Sequence, residues 1–434
     1  MAFDVVVIGA GLAGCAAAAR AAGEGARVAM VASGLGRLFH LGGGSLDVLA
    51  VRAARPVRRP LAEVAALATS EPEHPYAILG LEAVRRGLAL IAEIAAREGY
   101  PFSGAAPADG AGLPPDQPNL WLPTALGGWR AAFLAPASMV GAAWAGTDAW
   151  PLGREVLVAG FQGYGDFSPE LLARGIRHSA RAQARSVWLD VPGVAGASLA
   201  GGLSAPYLGR YFDRPGAVAG LAGEVGGRLG RSEVVIFPAL LGLERSVAAH
   251  SQLEALLGRP VAEVPALPPS LPGLRLWRAI RRYLAARGVR FYLGATAAAA
   301  EPAAGGRATT AAGGRLASIR VRGVSREVEL RAGAFVLATG GIGGGGIALS
   351  PGPPPGGPVA REAVLGLRLS EAGAPHLPVN HRLQPPGPGG EPAWANLFAA
   401  GSILCGHDLA VEGSASGIAA ASGCRAGELA LDVL

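Results

Sequence analysis

The stretch that most constrains this chain is Val5-Val6-Val7-Ile8, followed at once by Gly9-Ala10-Gly11-Leu12-Ala13-Gly14 and an alanine-dense run from Cys15 to Ala22. Consecutive β-branched residues predict a strand, and the alanines predict a helix. Strand, glycine turn and helix in that order let a backbone approach a phosphate closely and aim a helix N-terminus at its charge. Gly9 is expected to permit the tight turn, Gly11 to clear space for the phosphate, and Gly14 to let helix and strand pack closely. With 67 glycines in 434 residues, chance spacing alone gives roughly one or two such strings. The flanking strand and helix therefore carry the assignment.

The composition excludes several chemistries. All 38 Lys+Arg residues are arginine, so a Schiff-base lysine and a P-loop lysine are both ruled out. Cys15, Cys405 and Cys424 lie far apart and form no metal, cluster or disulfide pattern. An iron–sulfur centre, where electrons must leave, is expected on another chain. The net charge of +6 is spread along the sequence, so no nucleic-acid surface is expected; an RNA-binding flavoprotein is the remote alternative. No apolar run is long enough to span a bilayer, and the first strand opens without a charged leader segment. No metal site is expected. A cytoplasmic setting fits these features, with any membrane attachment made through a partner.

A second parallel strand is expected over Arg27–Ala32. Such a βαβ unit normally ends its second strand in Asp or Glu, which binds the adenosine ribose. Ser33 stands there instead, and this bears on which flavin is bound. Next, Gly43 and Gly44 in the triple glycine offer bare backbone to a flat ring or an anion, flanked by His40 and Ser45 as polar candidates. A glycine-rich loop with a solvent-facing histidine accounts for the same residues.

Residues 61–99 read as helices, with Val84, Leu88, Ile91 and Ala95 at core spacing. Short strands are expected around Asn119–Thr124 and Gly127–Arg130, with buried strands over Glu155–Phe161 and Val234–Pro238. Ser168-Pro169 starts one helix, and another runs over about 271–286 carrying Arg275, Arg278, Arg281 and Arg282. From Leu316 a β-meander feeds a strand ending Thr339-Gly340. The last informative stretch is a strand through Asn396–Ala400, then Gly401, His407 and Asp408, and a glycine-guided helix start at Glu412-Gly413. That start is expected to offer partial positive charge to the electron-rich edge of a flavin.

The fold expected is α/β, a Rossmann-like FAD/NAD(P)-binding fold with a mostly parallel sheet and an inserted α+β middle domain. Residues 1–60 and 330–434 would form the nucleotide-binding part. Residues 61–329 would be the inserted cap and partner-contact region, with the β-meander near 316–331.

With these pieces placed, the chain resembles the B subunit family of bacterial anaerobic glycerol-3-phosphate dehydrogenases. The resemblance rests on Phe3–Gly14, Gly43–Asp47 (GGSLD), Phe161–Phe167 (FQGYGDF), Leu267–Leu276 (LPPSLPGLRL) and Asn396–Asp408. The glycine run to Gly346 departs from the family pattern. The resemblance implies a fumarate-reductase-like flavoprotein with FMN as cofactor and FAD as the alternative. It also implies a flavoprotein A subunit and a membrane-associated iron–sulfur C subunit as partners. The implied reaction is sn-glycerol 3-phosphate to dihydroxyacetone phosphate, carried out either on this chain or on the A subunit with this chain's flavin as a relay to the iron–sulfur subunit, and with electrons passed towards quinone at the inner face of the membrane. Alcohol oxidation needs a proton acceptor, for which His40 and His407 are candidates, and a phosphate-binding cation, for which Arg275 is one. A stand-alone fumarate-reductase-like enzyme acting on another small acid is the competing reading.

Overall fold

In a computed structural model, which describes residues 2–40, 42–104, 113, 117–143, 155–179, 182–191, 194, 202–302, 314–324, 326–352, 358–370 and 375–434, the opening run forms strand β1 (Ala2–Ala10). Helix α1 (Leu12–Gly23) follows, then β2 (Val28–Leu35), parallel to β1 with Val6 opposite Ala29. Val5, Val6 and Val7 are fully buried, as a strand covered on both faces of a parallel sheet must be. Helix α2 (Leu81–Arg97) turns Val84, Leu88 and Ile91 into the same core. Strands β3 (Leu120–Pro123) and β4 (Trp129–Ala132) then form a hairpin.

The next segment alternates β5 (Glu155–Phe161), α3 (Pro169–Ser179) and β6 (Gln183–Leu189). It continues with α4 (Ala205–Phe212), α5 (Ala217–Gly226), β7 (Val234–Pro238), α6 (Ser246–Leu257) and β8 (Val261–Val264). Its four strands order as β6-β5-β7-β8 with every pair parallel. The inserted region, expected as α+β, thus carries antiparallel hairpins but is built around an all-parallel sheet. Helical crossovers explain the difference, because each returns the chain in its starting direction. β6 was hidden in the sequence by its polar alternation, and β8 by its shortness and the buried charge of Glu263.

Helix α7 (Leu271–Ala286) leads back, followed by β9 (Arg290–Leu293), β10 (Thr296–Pro302), β11 (Leu316–Arg322) and β12 (Glu327–Leu337). Strand β13 (Leu397–Ala399) and helix α8 (Ala415–Leu431) close the chain. The first sheet orders as β9-β2-β1-β12-β11-β10, with β13 pairing β12. β9, β2, β1, β12 and β13 are parallel, and β10 and β11 form the antiparallel meander. Strands β9, β10 and β11 therefore join the first sheet ahead of residue 330, where the return was expected. The helix at 81–97 also packs on this core.

The alanine and glycine excess has a packing reason. A Cβ on Gly423 of α8 would come within 2.2 Å of the Ala13 carbonyl oxygen of α1, and one on Gly87 of α2 within 2.5 Å of Ala420. Only bare backbone allows these three helices to lie so close. Helix α7 joins the two cores. Leu276, Trp277 and Ile280 enter the first, and Leu271 the second. Among the described residues, no helix is long and apolar enough to cross a membrane.

Candidate functional site

Parallel strands leave a crevice outside their C-terminal ends. Here a cavity of about 590 Å³ runs across the ends of β9, β2, β1, β12 and β13. Val31–Gly36 and Ala295–Ala297 line one end, Gly9–Ala13 the middle, and Ala338–Gly340, Gly401, Ser402, Ala415 and Ser416 the other.

The three glycines of the opening motif divide their work. Gly9 has φ +119°, and a Cβ there would stand 2.1 Å from the Ala338 carbonyl oxygen; one on Gly14 would stand 1.9 Å from the Gly9 oxygen. Both serve the fold. Gly11 is different: it is extended, and a Cβ on it would meet nothing nearer than Gly36 Cα at 3.8 Å. It lines the cavity beside Leu12 and Ala13. Helix α1 has neither a side-chain cap nor an acidic residue in its first turn, so its leading N–H groups remain available to an anion.

Ser33 and Gly340 also lie on the wall. Gly340 and Gly401 hold positive φ, +77° and +86°. The buried Oγ1 of Thr339 has no hydrogen-bond partner among the described residues. A floor of bare backbone, a free helix start and an orphaned hydroxyl together fit a flat, polar, phosphate-bearing ligand.

Other expected residues fall elsewhere. Gly43 and Gly44 do not line the cavity; Cβ atoms there would meet Pro265 at 3.0 Å and Pro272 at 2.6 Å, so they close the joint to β8 and α7. Ser45 is buried behind the wall, and the loop reaches the cavity through Gly42 and Asp47 instead. His40 is exposed on the short helix Arg37–His40 and lies off the wall. Arg275 is not available to a phosphate. Its guanidinium is buried, donates to Glu263 at 2.7 and 3.1 Å, and gives its Nε to the Gly242 carbonyl at 2.8 Å. Burial opposes ionisation of Glu263, but the Arg275 charge outweighs it and holds the carboxyl below its ordinary value.

Asp408, Glu412 and Gly413 also sit off the wall. Glu412 accepts from His74 at 3.2 Å, from Ser414 Oγ at 2.8 Å and from the Asp408 amide at 2.9 Å. The His74 Nδ1 accepts from the Tyr76 amide, which places its proton on Nε2, facing Glu412. Beside them His407 is 8% exposed, with its ring 5.3 Å from that of His376. Neither of its ring nitrogens has a hydrogen-bond partner among the described residues. Burial, with His376 and His74 adding to it, pulls its pKa down to about 4, so the ring is neutral at pH 7. His407 lies behind the wall, two residues before Leu409, which lines it.

Among the described residues, the charged side chains on the wall are two that residue types alone did not single out, Asp47 and Arg130. Asp47 Oδ1 accepts the Ser416 amide at 2.7 Å and the Ser416 hydroxyl at 2.6 Å, so it occupies the N-terminus of α8. Its Oδ2 accepts Arg130 Nη2 at 2.9 Å. The helix start expected to face a ring freely is thus already engaged at Ser416. The signal for Asp47 was present in the GGSLD run. Among the described residues, no group of three or more His, Cys, Asp or Glu is placed to hold a metal ion.

The profile of the FAD binding domain family matches residues 4–349. The chain is 34% identical over 282 residues to the B subunit of the anaerobic glycerol-3-phosphate dehydrogenase of Pectobacterium atrosepticum, covering 64% of this chain and 63% of that one. It is 30% identical to the probable B subunit of the corresponding Halobacterium salinarum dehydrogenase, covering 99% of this chain and 98% of that one. Among solved structures, a variant of the Escherichia coli quinol fumarate reductase chain FrdA overlaps at TM-score 0.41 and 10% identity, covering 100% of this chain and 70% of that one. The chain belongs to the FAD binding domain family and, within it, to the family of anaerobic glycerol-3-phosphate dehydrogenase B subunits. It is a flavin-binding protein of that class, matched over about 63% of the length of its Pectobacterium relative.

Proposed function

We propose that this chain is a flavin-loaded subunit of a quinone-linked glycerol-3-phosphate dehydrogenase. It would take electrons from sn-glycerol 3-phosphate, yielding dihydroxyacetone phosphate, and pass them on to an iron–sulfur partner. The observation that carries this is the cavity running across the ends of five parallel strands, together with the name borne by the relatives. The partners are a flavoprotein A subunit and a membrane-associated iron–sulfur C subunit, with this chain on the cytoplasmic face.

The first turn of α1 would hold the cofactor phosphates, with Thr339 Oγ1 supplying a further polar contact. The flavin, when bound, supplies the hydride acceptor. His407, neutral and with both ring nitrogens unpartnered among the described residues, is a buried imidazole two residues from the lining Leu409 and would accept the hydroxyl proton. Its position behind Leu409 is compatible with that role, because catalytic contacts tighten only around a ligand. FAD is the better-supported flavin. The wall continues past Ser33 to Gly36 and Ala295–Ala297, which is more than a mononucleotide needs, and Ser33 would make the ribose contact with a single hydroxyl. The missing acid at Ser33 favours FMN.

The absorption spectrum of the purified chain, followed by mass analysis of the released cofactor, decides the flavin. A colourless protein that takes up neither FAD nor FMN would overturn the reading. In the assembled complex, glycerol 3-phosphate should reduce this chain's flavin, and His407→Gln should slow that step at least tenfold. An unchanged rate would remove His407 from the proton transfer.

A further inference from the structure

With Arg275 buried against Glu263, the substrate phosphate lacks an obvious cation. We infer that Arg130 is the anion anchor of this cavity, holding the phosphate of a small phosphorylated alcohol, while Asp47 holds Arg130. The inference rests on the functional reading above and assigns the oxidation itself to this cavity rather than to a partner's.

Four observations carry it. Arg130 is the one cation among the described lining residues. Its side chain is 39% exposed and spends one nitrogen on Asp47, Nη2 at 2.9 Å; no other hydrogen bond holds it among the described residues. The Nε–H and both Nη1 hydrogens are unspent, so the guanidinium keeps donors for phosphate oxygens on either side of Nη2. The loop beside it is bare at Gly43, where a Cβ would stand 3.7 Å from Nη1, so that residue leaves the nitrogen open.

Asp47 makes the arrangement durable. It is 4% exposed and fixed by the amide and hydroxyl of Ser416, so the guanidinium is held against a rigid partner rather than left to search solvent. The carboxylate also cancels only one charge. With Arg130 and the α8 N-terminus on the other side, the local sum stays positive by about half a unit, as an incoming anion requires. The hairpin position matters too: β4 comes from the segment before the second sheet, so one residue from outside the nucleotide-binding strands closes this end of the cavity.

The test uses the full chain loaded with its flavin. The bound flavin's absorbance is titrated with dihydroxyacetone phosphate, glycerol 3-phosphate, inorganic phosphate, succinate and glycerol, and flavin affinity is measured separately. The expected result is a spectral change with the phosphate esters and none with glycerol. Arg130→Gln should weaken that response at least thirtyfold with flavin affinity within threefold of the parent, and Arg130→Lys should recover part of it. A response to phosphate esters that Arg130→Gln leaves unchanged overturns the anchor and leaves the functional reading intact. Arg130-dependent binding of succinate or inorganic phosphate without any response to the esters keeps the anion anchor and removes the glycerol 3-phosphate reading. Loss of the flavin itself in both variants places Arg130 on the cofactor and overturns the inference, as does a parent protein that responds to no anion.

Discussion

The carboxylate of Asp47 accepts both the amide and the hydroxyl of Ser416, 369 residues later in the chain, at 2.7 and 2.6 Å. This contact caps α8 and, through Arg130, ties the β3–β4 hairpin to the same point. Asp47→Ala should therefore destabilise the chain by about 2–3 kcal/mol, more than a simple cap, because charge-assisted bonds are lost. Ser416→Ala alone should cost about 1 kcal/mol. The double variant should be no worse than Asp47→Ala within error, since both remove one interaction. Urea unfolding curves of the four proteins check this; strict additivity would mean that the two residues act independently.

Gly11 and Gly14 should respond oppositely to the same methyl group. A Cβ on Gly14 lies 1.9 Å from the Gly9 oxygen, whereas Gly11 has open space around it. Gly14→Ala should destabilise by about 3 kcal/mol or more through overpacking. Gly11→Ala should keep the parent melting temperature within a few degrees yet lose flavin affinity at least tenfold. Thermal unfolding of apo-protein paired with flavin titration separates the two.

The Arg275–Glu263 pair predicts a stability effect without a binding effect. Arg275→Met leaves a buried carboxylate that also accepts the Leu241 amide and the Ser138 hydroxyl, which should cost about 3–5 kcal/mol. Adding Glu263→Gln keeps an acceptor for the Leu241 amide, lets the side-chain amide donate to the Ser138 hydroxyl and removes the stranded charge, so about half the loss should return. Affinity for phosphate esters should not change in the double variant. A selective loss of ester binding there would put Arg275 back in the site.

His407 sets a pH dependence whose sign follows from its burial. Its folded pKa, about 4, lies below the ordinary 6.5, so the neutral ring stabilises the fold above pH 6.5. That contribution is lost as pH falls from 6.5 to 4, because the unfolded chain binds the proton first. The wild-type protein should lose up to about 3 kcal/mol more than His407→Gln across that window. Parallel slopes for the two proteins would show that His407 does not titrate apart from its unfolded value.

Much of the fold was legible because it is written in local pattern. The valine run, the glycine turn and the alanine helix each depend on residues within a few positions, and α7 appears over the span its Ser270 cap and apolar spacing indicate. The parallel sheet of the inserted region was less legible. β6 and β8 are short, polar or charged, and are strands only because β5 and β7 offer them edges.

By itself, the sequence determined that a strand, a bare glycine turn and a helix start follow one another, and which family shares that arrangement. Only the tertiary structure decided which charges stand on the wall. Arg275 and Arg130 are the same residue type, yet one is buried against Glu263 and the other is half-exposed beside Asp47. Their difference comes from long-range pairing, with partners 12 and 83 positions away, and no local pattern records which carboxylate a guanidinium will meet once the sheets have packed.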